Sequence, residues 1–168
     1  MKTYIHYGAS KYNDQILKDQ IDELVASNYK QIRLTGKPVG LYSSPVNTKW
    51  GWKDFCECED FHTDCLDKYF KFTLSENAKI LNVNTEYDII PYIISYEYKE
   101  TFDPLISADF RNITDCCDRI DQKKLMEEYD GMELYMDKNW DQLRYSMFYT
   151  WDVDTLVVWN PDIIKEVS

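Results

Sequence analysis

Two carboxylates, Asp152 and Asp154, stand just ahead of the apolar run Thr155-Leu156-Val157-Val158-Trp159, and His6 sits in the first run of β-formers, Thr3 to Tyr7. A carboxylate steadies a developing positive charge, and a neutral imidazole offers one donor and one acceptor nitrogen. Between them in the chain lies Gly40-Leu41-Tyr42-Ser43-Ser44-Pro45, rich in hydroxyls, followed by Trp50, Trp52 and Phe55. Three segments far apart in sequence, 5–10, 40–55 and 151–162, thus hold the parts of one pocket: imidazole, hydroxyls, an aromatic wall and acid. The same residues also have plain structural roles. A histidine in an apolar strand is often a hydrogen-bonded core residue. Acidic residues before a strand commonly solvate a turn. Aromatic runs more often fill cores than line walls, and Gly40 also suits a strand kink.

A second constellation is Cys56, Cys58, His62 and Cys65, a Cys-x-Cys-x3-His-x2-Cys pattern. Three thiolates and an imidazole can bind zinc tetrahedrally, but the spacing is not that of a common finger, and free thiols are the alternative. Cys116 and Cys117 are adjacent on a predicted helix and point apart. His6 and His62 are the only two histidines, so a cysteine nucleophile has few possible activating bases.

The elements that position these groups follow from periodicity. Alternation predicts strands over 3–7, 38–44, 69–74, 79–83, 131–136 and 155–159. Helical spacing of Ile16, Leu17, Ile21, Leu24 and Val25 predicts a helix over 14–27. Further helices are expected over 49–58, 112–129 (with Ile113, Cys117, Ile120 and Leu125 as its apolar side) and 138–148. Asn84 or Thr85 should cap a short helix with Glu86 in its first turn. Residues 97–111 read as a loop. The length of 168 residues argues for a single domain over 1–168 that buries a real core. Strands and helices interleave without βαβ regularity, and no Gly-x-Gly-x-x-Gly follows a strand. A mixed α+β domain with a split, twisted sheet flanked by helices is therefore expected.

Charge narrows the partners. The formal net charge is -11 and the isoelectric point about 4.6, with no basic stretch, so a bulk electrostatic grip on nucleic acid is not expected. Acidity leaves room for a protein partner with a basic face. No run of 18 apolar residues suits a membrane span, and Met1–Ser10 has no apolar signal-peptide region. Five cysteines, an odd number, fit free thiols in a reducing cytosol, so a cytoplasmic location is expected.

In the order of its segments, the chain resembles the ADP-ribosyltransferase superfamily, including small bacterial and phage-type members. The likeness rests on the His6-Tyr7-Gly8 strand end, the Gly40-to-Ser44 strand with its aromatic helix, Ile80-Leu81-Asn82-Val83 followed by an acidic helix, Tyr129-Asp130-Gly131-Met132, and the ending Val157-Val158-Trp159-Asn160-Pro161-Asp162. It covers nearly the whole chain and implies NAD as co-substrate. By resemblance, His6 holds a ribose hydroxyl, the backbone near Tyr7 and Gly8 takes the nicotinamide amide, Tyr42, Ser43 and Ser44 line the second strand, and Trp52 or Phe55 forms the wall. The family carries a glutamate on the last strand where Thr155 falls here. The acid is then expected from Asp154 first, Asp152 second and Glu133 third, with a bulge turning one into the pocket. The implied activity is ADP-ribosyl transfer to a macromolecule, a protein by preference, as a toxin, effector or phage factor acting against a host. The alternative is an acidic interaction module on the same fold that binds and inhibits a protein without turning NAD over.

Overall fold

Alternation along the apolar runs becomes alternation across one sheet. The computed structural model describes residues 2–27, 37–94, 119–143, 148 and 150–167. In chain order the described strands are β1 (Thr3–Tyr7), β2 (Leu41–Pro45), β3 (Tyr69–Leu74), β4 (Ile80–Val83), β5 (Ile93–Ile94), β6 (Arg119–Ile120), β7 (Gly131–Leu134), β8 (Thr155–Val158) and β9 (Ile164–Val167). The helices are α1 (Asp14–Ala26), α2 (Trp52–Glu59), α3 (Gln122–Met126) and α4 (Met136–Leu143). Seven strands form one sheet in the order β4-β7-β8-β2-β1-β3-β9, and β5 pairs with β6 apart from it. β4 and β7 run parallel, while the other pairings are antiparallel, so the sheet is mixed and the architecture α+β.

The side-chain period of two sends the core to both faces. On one face Tyr4, Phe70, Phe72, Leu156 and Val158 pack together with Ile163. On the other, Met132, Leu134 and Val157 meet Leu125 of α3, Met136 and Leu143 of α4, and Trp151 and Trp159. α1 begins where Asn13 caps it, its side chain accepting from the Gln15 amide at 3.1 Å. Its buried stripe is narrower than the sequence suggested: Leu17 and Leu24 are buried, whereas Ile16 and Val25 are each 57% exposed. Gly40 and Gly131 flank the end of β8. A Cβ on either would stand 2.6 Å from a β8 carbonyl oxygen, so only glycine permits that approach.

Two expectations change. Residues 119–120 are strand rather than helix, because Arg119 and Ile120 pair with Ile94 and Ile93, and among the described residues 119–129 the helix spans 122–126. Ile113, Cys116, Cys117 and the loop over 97–111 lie outside the described residues. β9, which the sequence did not announce, pairs with β3 as an edge strand. The short helix expected after Asn84 or Thr85 is a 3-10 turn, Glu86–Asp88, with Thr85 at its N-cap. No described helix is long and apolar enough to cross a membrane.

Candidate functional site: a cleft where two strands part

β2 changes neighbours along its length. Its last residues, Ser44 and Pro45, pair with Ile5 and Tyr4 of β1. Its first three, Leu41, Tyr42 and Ser43, pair with β8. β1 therefore leaves β2 after Ile5, and His6 is the first residue past the junction. Its Nδ1 lies 2.6 Å from the Tyr42 carbonyl oxygen. A carbonyl only accepts, so Nδ1 carries the proton and Nε2 of the neutral ring is a lone-pair acceptor. Burial holds the His6 pKa below its ordinary 6.5, outweighing the opposite pull of the Tyr42 hydrogen bond. The ring also packs on Phe70 at 5.1 Å between centroids.

A cavity of about 340 Å³ opens at this junction. His6, Tyr7, Tyr42, Ser43, Ser44 and Trp52 all line it, so most of the binding side chains expected from sequence converge there. Phe55 lies in the adjoining cleft, which shares Lys37, Trp52 and Asp152 with the cavity. Gly8 lines neither. It has φ of +102°, a backbone conformation glycine tolerates, and its amide donates to the Lys68 carbonyl at 2.7 Å.

The aromatic wall is fixed by hydrogen bonds between segments. Ser44 Oγ accepts from the Trp52 amide at 2.9 Å, supplying from β2 the cap that Gly51 lacks a side chain to make. Asp54 accepts from the Gly51 amide at 2.8 Å. Trp50 Nε1 donates to the Asp152 carbonyl at 2.8 Å, and the Asp154 amide donates to the Trp50 carbonyl at 3.0 Å. These last two bonds bind segment 50–52 to segment 152–154 and hold Trp52 beside Asp152. Trp52 stacks on Phe55 at 5.7 Å, and Phe61 meets both edge-on.

The three candidate acids separate. Asp152 is exposed and lines both the cavity and the adjoining cleft. Asp154, the first choice on sequence, is 3% exposed and does not line the cavity. One of its oxygens accepts from the Thr48 hydroxyl and the other from the Asp137 amide at 2.9 Å, in the first turn of α4. No bulge turns it inward; its carboxylate ties three segments together. Glu133 is also buried, pairs with Lys2 at 2.5 Å and accepts from the Tyr135 hydroxyl at 3.3 Å. It does not line the cavity either. Beside this carboxylate the buried Tyr4 phenol has a raised pKa, first from burial and then from Glu133.

Residues not selected from sequence complete the lining. Lys37, read there only as part of a turn, sets its ammonium 5.6 Å from the Trp151 ring centre. Trp151 itself tilts against Tyr42 at 5.8 Å. Thr155 lines the cavity as well, its hydroxyl donating to the Val153 carbonyl at 2.9 Å. No residue type distinguished Lys37 in advance as a lining residue. The four-ligand cysteine-histidine set does not assemble. Cys56 is buried and Cys58 exposed, as two residues in one helix point to nearly opposite sides. No family model, no curated protein and no solved structure matches this chain.

Proposed function

We propose that the chain binds NAD in the cleft at the β1–β2 junction and transfers ADP-ribose to a protein. The observation that carries this reading is the convergence of His6, Tyr42, Ser44, Trp52 and Asp152 on one cavity from three distant segments. The groups fit the cofactor by type. A cavity of about 340 Å³ lies in the range of small-molecule sites, roughly 300–1,000 Å³, and adjoining clefts on either side extend it for a longer ligand. Trp52 offers a face for the nicotinamide ring. His6 Nε2 accepts from a ribose hydroxyl. Lys37 supplies a cation for phosphate oxygens. NAD supplies the carbon–nitrogen bond between ribose and nicotinamide, whose cleavage builds positive charge on the ribose as in glycoside hydrolysis. Asp152, the one carboxylate among Asp152, Asp154 and Glu133 that lines the cavity, stabilises that charge.

A second reading has its own observation. At the position where the family's glutamate would fall, the cavity is lined by Thr155, which holds a hydroxyl instead of a charge. That favours a binding module of the same fold without turnover. Purified protein incubated with labelled NAD and a cell lysate separates the two. Release of nicotinamide with label on a discrete lysate protein supports the transferase. NAD binding without release supports a module that holds the cofactor unturned, and neither binding nor release overturns the transferase and leaves the protein-binding module, which needs no NAD.

A further inference from the structure

Between α2 and β3 one tight turn gathers three different metal-ligand types. The imidazole of His62, the carboxylate of Asp64 and the thiol of Cys65 have ligand atoms within 4.8 Å of one another. We propose that these three residues bind a zinc ion, with the fourth position left to water or an exchangeable ligand. Zinc takes nitrogen at about 2.0 Å, oxygen at about 2.1 Å and sulfur at about 2.3 Å, which sets tetrahedral ligands about 3.5 Å apart. Small side-chain rotations close the difference. Thiolate together with imidazole selects zinc over magnesium or calcium, which prefer oxygen. The backbone already holds the groups together: the Cys65 amide donates to the His62 carbonyl at 3.1 Å and the Leu66 amide to the Thr63 carbonyl at 3.2 Å. His62 and Asp60, neither of them glycine, adopt φ of +50° and +49°. Such backbone is strained for a residue with a side chain and clusters at sites where the surrounding structure holds it in place. This ligand set differs from the sequence pattern, since Asp64 enters while Cys56 and Cys58 stay out. On binding, the Cys65 thiol gives its proton to solvent and the thiolate ligates the ion.

Cobalt replacing zinc tests the site, because a cobalt–thiolate bond gives a charge-transfer band that oxygen and nitrogen ligands do not. The intact chain should bind one equivalent with that band. Cys65→Ser should abolish the band, and Cys58→Ser should leave it unchanged. His62→Ala and Asp64→Ala should each weaken binding by at least the ~10–100-fold that loss of an outer partner costs. In the unsubstituted protein, zinc should protect Cys65 and not Cys58 from alkylation, a readout independent of any variant's folding. No band with one equivalent of cobalt, a band surviving Cys65→Ser, or equal alkylation of both thiols with and without zinc would overturn the proposal.

Discussion

The His6 ring and the Tyr42 carbonyl are joined by a 2.6 Å hydrogen bond at the point where β1 leaves β2. A side chain thereby replaces the ladder bond that the parting strands give up. It fixes the tautomer and leaves Nε2 as the acceptor. The bond is both the structural close of the junction and the orienting device of the cleft.

Its first consequence concerns pH. The folded His6 pKa lies below the ordinary 6.5 because burial disfavours the charged ring. Its contribution to stability is therefore complete above that value and is lost as pH falls towards the folded pKa, since the unfolded chain takes the proton first. Urea unfolding at about pH 7 and about pH 5 should show a larger drop in midpoint for the unsubstituted chain than for His6→Gln. Equal drops would mean that the ring is not buried as a neutral group.

Asp154 and Asp152 should part in their effects. Asp154→Ala removes the acceptor for the Asp137 amide and the Thr48 hydroxyl. A loss of about 1–2 kcal/mol is expected from denaturant unfolding, the usual magnitude for a lost helix cap. Asp154→Asn, which keeps an acceptor oxygen, should lose less.

Asp152→Asn should leave unfolding unchanged, because its carboxylate makes no hydrogen bond or ion pair among the described residues and is exposed. The same substitution should slow nicotinamide release by about a hundredfold or more, the scale of losing one electrostatic stabiliser. Undiminished release would take the acid role away from Asp152.

Trp52→Ala removes the proposed stacking face while the Ser44 cap bond, made to the backbone amide, can persist. NAD affinity should fall about tenfold, or ~1.4 kcal/mol, and circular dichroism should stay native. Unchanged affinity would place the nicotinamide elsewhere.

The sequence was legible where period and burial agree. β1, β3 and β8 alternate or run apolar, and each forms where expected. β9 escaped because Ile164-Lys165-Glu166-Val167 carries its charges on an exposed edge, and edges are where charged strands are tolerated. Ile120 and Leu125 suggested one helix because, with Ile113 and Cys117, they gave it an apolar side; both are fully buried, yet one belongs to β6 and the other to α3. In the site, His6, Tyr7, Tyr42, Ser43, Ser44, Trp52 and Asp152 line one cavity, whereas Gly8, Phe55, Asp154 and Glu133 do not. The direction of the Asp154 carboxylate was not foretold, because its partners Thr48 and Asp137 are set by tertiary contacts. Lys37 reaches the cavity for the same kind of reason.

Calorimetric titration of NAD into the purified chain is the decisive test of the cleft. Saturable binding at one site per chain is expected, weakened in Trp52→Ala and retained in Asp154→Asn. Absence of any binding heat up to millimolar NAD, with no nicotinamide released, would contradict it.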